Sequence, residues 1–370
     1  MKKIILISLL ILSSNLFAGE IKKEYNASPG GLLETDIKTG GSIEVTGWNE
    51  NKVQVIVNFR GSKLDEDINL QIEESSKGVS INVFAYNNSN SDLEFDVKVP
   101  QQYDLDLKTM GGEIQVSNVQ GELEGETMGG NVSLRELKGE AKFKTMGGNI
   151  DLSDSDVDGK VSTMGGNIMF RDVIGDMDGS TMGGNVTYKN NKSRQGKAGK
   201  EVKISTMGGN IDVAEAMSGA DVSTMGGNID IKKAAEFIKA STMGGNIDIS
   251  EIDGWVKAST MGGDIEINMT GDPEKGDRDV NISSMGGDIE LTLPEGISAE
   301  FDVRINYTRN SRQDYEIKSD FPLNIKEDED WKYKNGDPHK EITASGKTGS
   351  GKNKIYINTN NGDITIKKSK

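Results

Sequence analysis

Cysteine is absent from this 370-residue chain, so neither a disulfide nor a lipid carried on an N-terminal cysteine can hold it. Histidine occurs once, at His339 in a polar segment, which argues against Ser-His-Asp triads and histidine metal sites. Hydrophobic residues make up 34% and aromatics 5%, low for a compact domain of this length. Positive charge is short as well: 43 Lys and Arg face 59 Asp and Glu, for a net charge of −16. That balance disfavours nucleic acid, whose phosphates call for clustered Lys and Arg, and anionic membrane surfaces. It also keeps a strand-rich protein soluble. After the first residues, no stretch approaches the roughly 20 apolar residues of a membrane-spanning helix.

What is present begins with a targeting pattern. Lys2 and Lys3 precede Ile4 to Leu12, apolar apart from Ser8, and Leu16-Phe17-Ala18 supplies a cleavage site before Gly19. Residues 1–18 therefore read as a signal peptide cleaved after Ala18. Loss of two Lys and no acid takes the charge from −16 to −18. The mature chain is expected in the periplasm or outside the cell, with no membrane insertion.

Glycine is abundant, at 46 residues, and with so few apolar residues that composition ordinarily means disorder. Repetition overturns that reading. Met-Gly-Gly occurs ten times, at Met110, Met128, Met146, Met164, Met182, Met207, Met225, Met243, Met261 and Met285. Seven of the nine steps are 18 residues; the others are 25 and 24. Thr precedes Met in nine copies and Ser284 in the tenth. A fixed period near twenty residues marks a stacked architecture, which buries a narrow core with few apolar side chains per turn.

The element type follows from the alternation around the motif. In Phe143-Lys144-Thr145-Met146-Gly147-Gly148-Asn149-Ile150-Asp151-Leu152, apolar residues fall at every second place on both sides of the glycines, a strand period. Eighteen residues hold two short strands, a Gly-Gly bend and a polar turn, leaving no room for a helix. The expected fold is all-β: a single-stranded parallel β-helix, or β-solenoid, of about 18 residues per coil. Residues 19–108 form an N-terminal β-rich cap and first coils, with Thr39-Gly40-Gly41-Ser42-Ile43 as a degenerate motif. Residues 109–293 carry the ten rungs. Residues 294–370 contain an irregular segment, then a degenerate rung near Asn361-Gly362-Asp363-Ile364 that serves as the C-terminal cap.

Each letter of the repeat has an expected role. The glycines give positive φ and a corner where a Cβ would strike the next rung. Thr forms a hydroxyl ladder. Asn131, Asn149, Asn167, Asn185, Asn210, Asn228 and Asn246 stack their amides, and Glu113, Asp264 and Asp288 replace Asn in the terminal rungs. The two long steps place insertions at Asn190–Lys197 and Gly271–Asp277, both after a second strand and so on one side, as binding loops or as tolerated extensions.

The mature chain resembles a bacterial exported adhesin-like family with β-strand repeats, a domain of unknown function. The resemblance rests on Pro29-Gly30-Gly31, Ile43-Glu44-Val45-Thr46-Gly47-Trp48, Val97-Lys98-Val99-Pro100, the Thr-x-Gly-Gly-x-Ile rungs and the closing Asn361-Gly362-Asp363-Ile364. It implies a right-handed β-helix and no catalytic residue. The family position before the Gly pair is variable, whereas here it is Met throughout.

Two surface features could carry function. Asp151, Asp212, Asp230, Asp248, Glu266 and Glu290 follow the Asn position and should form an outward acidic row. That row could be a solvated face, a Ca²⁺ or glycan site, or the centre of a polysaccharide-active β-helix. The ten methionines are the sharper case. Strict alternation after an inward Thr points them outward, as an interaction stripe or a soft-metal ligand set. If the Gly bend resets the alternation, they become core. No cofactor is implied, and the expected activity is non-enzymatic: an adhesion or interaction scaffold for a protein or glycan, or for a second copy of the chain.

Overall fold

Alternating side chains of the kind just described need a partner strand on each side, and among the described residues every regular element is a strand. The computed structural model describes residues 19–60, 68–85, 92–191, 200–312, 314–334 and 337–369. Residues 1–18, expected to be a signal peptide, and most of the first insertion, 192–199, lie outside the described residues. The chain divides into two compact units, 1–166 and 167–370.

The first unit opens with β1 (Gly19–Asn26), β2 (Gly31–Ile37), β3 (Ser42–Trp48), β4 (Lys52–Arg60), β5 (Ile68–Glu74), β6 (Gly78–Ala85) and β7 (Asp92–Pro100). The repeats then supply β8 (Tyr103–Thr109), β9 (Ile114–Ser117), β10 (Gln120–Thr127), β11 (Val132–Arg135), β12 (Lys138–Thr145), β13 (Ile150–Ser153) and β14 (Asp156–Ser162). First strands stack in parallel as β8–β10–β12–β14 and second strands as β9–β11–β13. Register is strict: Thr109, Thr127 and Thr145 align, as do Ile114, Val132 and Ile150. Inward residues such as Leu105, Leu123, Phe143, Val116 and Leu134 are buried. Each such side chain contributes roughly 1.5–3 kcal/mol by leaving water. Volume is balanced between rungs. Gly125 lies opposite Phe143, and a Cβ there would come within 2.5 Å of the ring.

The degenerate motif at Thr39–Ile43 is a true rung. β2 pairs in parallel with β8 and β3 with β9, and the Thr109 hydroxyl donates to the Gly41 carbonyl at 2.8 Å. Its place in the stack departs from chain order. β6 pairs with the opposite edge of β2, and β7 with that of β3, so β6/β7 is the end rung and β2/β3 is interior. Antiparallel strands cover this end: β5 on β6, β4 on β7, and β1 on β4.

The second unit contains β15 (Ile168–Arg171), β16 (Met177–Ser180), β17 (Val186–Lys189), β18 (Val202–Ser205), β19 (Ile211–Ala216), β20 (Ala220–Ser223), β21 (Ile229–Ser241) and β22 (Ile247–Thr260). β21 and β22 each turn a corner, serving as second strand of one rung and first strand of the next. Next come β23 (Ile265–Met269), β24 (Val280–Ser284), β25 (Ile289–Leu293), β26 (Ala299–Thr308), β27 (Ile317–Ser319), β28 (Asn324–Glu327), β29 (Lys332–Lys334), β30 (Asp337–Lys347), β31 (Asn353–Asn360) and β32 (Ile364–Lys368).

The C-terminal expectation is corrected here. The degenerate rung β31/β32 does stack on β24/β25, but it is not the cap. β26/β27 lies beyond it, pairing in parallel with β31 and β32. β26 is then covered by antiparallel β30, which also pairs with β28 and β29. The segment expected to be irregular thus supplies the closure. His339 sits half-buried on β30 instead of in a loose polar tail.

The second insertion is tied down. Arg278, 2% exposed, reaches the Asp253 carboxylate at 2.6 Å and the carbonyls of Thr270 and Asp272 at 2.9 and 2.8 Å.

Candidate functional site

The corner of each rung shows which letters of the motif the fold requires. Along Thr-Met-Gly-Gly-Asn-Ile the side chains point in, out, out, in, out, in. The glycines do not adopt positive φ, contrary to the expectation from sequence. Positive φ falls instead one residue past the second strand in five rungs, at Asn118, Glu136 and Asp154 in the first unit and at Asp172 and Asn190 in the second. The second Gly is required for closeness: a Cβ on Gly148 or Gly227 would stand 2.0 Å from the carbonyl oxygen of the second Gly one rung below. The first Gly has no such neighbour. A Cβ on Gly147 would be 3.5 Å from the nearest backbone atom and one on Gly226 3.6 Å, both ordinary contacts.

Thr forms a ladder, though not of hydroxyl to hydroxyl. The Thr145 hydroxyl donates to the Gly130 carbonyl of the rung below at 2.8 Å and accepts the Gly148 N–H of its own rung at 3.2 Å. Thr224 does the same between Gly209 and Gly227, and Ser284 between Gly263 and Gly287. The Asn column also works through the backbone. The Asn228 side-chain oxygen accepts the Asn246 N–H at 2.9 Å, and Asn246 accepts from Asp264. Only an acceptor is needed, so Asp264 and Asp288 continue the ladder instead of capping it, up to the N–H of Asp363.

These assignments leave the methionines. All ten are exposed, from 37% at Met146 to 56% at Met285, so the alternation runs through the bend without reset. Met110, Met128, Met146 and Met164 belong to the first unit; Met182, Met207, Met225, Met243, Met261 and Met285 belong to the second. Backbone bonds hold them in register. The Met225 N–H reaches the Met207 carbonyl at 3.3 Å, and the Met243 N–H reaches that of Met225 at 3.2 Å. Within a unit, successive methionines therefore stand one strand spacing apart, about 4.8 Å. Beside them the first-Gly column is bare backbone.

On the other flank lies a column that the motif reading missed. In the second unit the residue two places before each Met is Ser180, Ser205, Ser223, Ser241, Ser259 or Ser283, aligned rung by rung. A fixed offset from Met was the signal available in the sequence. In the first unit the same column carries Lys108, Glu126, Lys144 and Ser162, with Lys144 and Glu126 paired at 3.1 Å.

The acidic row is shorter than expected. Asp212, Asp230, Asp248, Glu266 and Glu290 are directly in register, while Asp151 belongs to the first unit, beside Ser133. Partial burial and then the Asp248 and Asp212 charges raise the Asp230 carboxyl above the ordinary range, with Lys232 opposing. Lys367 pairs with Glu290. Among the described residues no group of three or more His, Cys, Asp or Glu is placed to hold a metal ion. A cavity of about 680 Å³ in the first unit, near Gly31, Gly78 and Tyr103, includes no member of the row or of the methionine column.

A family model described as Toastrack DUF4097 matches residues 33–367. The chain belongs to the Toastrack family. No curated protein matches it. Solved structures similar to this Toastrack chain include a "putative cell adhesion protein" from Clostridium sporogenes, at 10% identity, covering 95% of this chain and all of that one, TM-score 0.18. A "putative adhesin" from Parabacteroides distasonis is 11% identical over 74% of this chain and 97% of its own, TM-score 0.37. A "putative lipid binding protein" from the same organism is 13% identical over the same shares, TM-score 0.29.

Proposed function

We propose that this Toastrack chain is an exported, non-enzymatic interaction scaffold that presents its methionine edge to a protein or glycan partner. The observation that carries the reading is invariance where the fold imposes none. Other outward positions vary along the chain: the place after the first Ile or Val of the second strand holds Gln115, Ser133, Asp151, Met169 and Thr187 before it turns acidic from Asp212 to Glu290. The place two before Met is charged in the first unit's early rungs and serine later. Met is outward too, yet it recurs in ten of ten rungs, and so does the sterically unneeded first Gly beside it. Exposing a column of large apolar side chains gains the folded state nothing, whereas a partner that covers them removes that surface from water. The secretory pattern of residues 1–18 supports export.

The test replaces Met207, Met225 and Met243 together with Ser and compares pull-downs from the native envelope. The expected outcome is loss of the wild-type captured set, with the thermal midpoint moving by no more than about 2 °C because exposed side chains contribute little. Unchanged capture would refute the surface assignment.

A further inference from the structure

We propose that the methionine column of the second unit binds soft monovalent cations, Cu(I) or Ag(I), each held between thioethers of successive rungs. The inference uses the exposed column assigned above; it does not depend on a macromolecular partner.

Geometry supplies the first argument. Met182, Met207, Met225, Met243, Met261 and Met285 are stacked by the rung register. Neighbouring rungs lie about 4.8 Å apart. A bond from sulfur to a first-row metal is about 2.3 Å, so two in line span roughly 4.6 Å. Two stacked thioethers can therefore flank one cation without moving the backbone. Three rotatable bonds let each methionine swing its sulfur into that line.

Chemistry supplies the second. A thioether is neutral and soft, a ligand that selects Cu(I) over the harder divalent ions. The chain has no cysteine and a single histidine, so no thiolate competes for the ion. Hard or borderline ions find no ready cluster among the described residues. The surroundings fit a small charged guest: the bare first-Gly strip runs along one side and serine hydroxyls along the other. Three residues past Met261 and Met285, the Asn ladder changes to Asp264 and Asp288, which adds negative charge beside the last rungs. In the first unit the corresponding flank is largely taken up by ion pairs, Lys144 with Glu126 and Lys108 with Asp106, where the second unit has hydroxyls.

Binding involves no electron transfer; the metal enters and leaves as a monovalent ion. Each cation uses two thioethers, so six methionines accommodate about three ions. The experiment titrates the full chain with Ag(I), and with Cu(I) under anaerobic reductant against a colorimetric Cu(I) chelator. Methionine ε-methyl NMR signals are followed in parallel. The expected result is saturable binding with shifted methyl signals, and at least a tenfold loss of affinity in the triple variant Met207→Leu, Met225→Leu, Met243→Leu. Leucine keeps the edge apolar and removes sulfur. That variant should retain macromolecular capture while the Ser variant loses it, which separates failure of this inference from failure of the scaffold reading. Unshifted methyl signals, Leu-variant affinity equal to wild type, or loss of binding with His339→Ala would each overturn the metal assignment. If the Leu variant misfolds, the wild-type methyl shifts decide alone.

Discussion

In the first unit the column beside the methionines is charged and cross-linked, with Lys144 held to Glu126; in the second unit the same column is an unbroken run of serine. The acidic row in register likewise belongs to the second unit. Inside, the two units repeat one another: the Thr hydroxyl bridges a Gly N–H to the carbonyl one rung below, and the second Gly admits no Cβ. The difference separates positions that fold the rung from positions that decorate it. Methionine falls on the decorating side and still does not vary.

If the interiors are equivalent, their defects should match. Gly148→Ala in the first unit and Gly227→Ala in the second should each cost roughly 3 kcal/mol, since the clash is with backbone that cannot yield. Their neighbours Gly147→Ala and Gly226→Ala should stay within about 0.5 kcal/mol. Urea unfolding of the four variants measures this, and a large cost at the first Gly would return that column to the fold. Smaller losses are expected when the relay is cut. Thr145→Val and Thr224→Val each strand a buried N–H and C=O, costing about 2 kcal/mol, while Thr→Ser at either site should preserve most of the stability. Unequal losses in the two units would break the comparison.

The smallest effect should be confined to the second unit. A carboxyl raised by burial and like charge favours folding while protonated, and that contribution is lost as pH rises through its folded pKa. Asp230→Asn should therefore raise the thermal midpoint at about pH 7 and leave it unchanged at about pH 3. A gain of equal size at both pH values would mean that charge on the row is not its cause.

The rung was legible because its period and its alternation agree: one fixes the stacking and the other the strand. The Met orientation was not legible, because a reset of the alternation at the Gly bend would have buried the column, and only the exposures decide it. The order of rungs at the ends was not legible, since β2/β3 and β31/β32 carry ordinary rung letters and nothing local records which rung they join. β26 could have been found: Ala299, Phe301, Val303, Ile305 and Tyr307 alternate without a break inside the segment expected to be irregular. The φ expectation failed for a different reason. Glycine recurs both where the backbone is left-handed and where space is short, and the sequence alone does not distinguish the two.

The antiparallel strands over the terminal rungs bear on a hazard of any stack of identical parallel strands, which is that its last rung is a template for the next molecule. A second chain arriving at β6/β7 meets β5 and β4 running the opposite way, and one arriving at β26 meets β30. Neither surface offers a Thr-Met-Gly-Gly corner with which to continue the ladder. Each of these end rungs is thus closed by antiparallel strands of the same chain, and neither is left as a bare parallel rung.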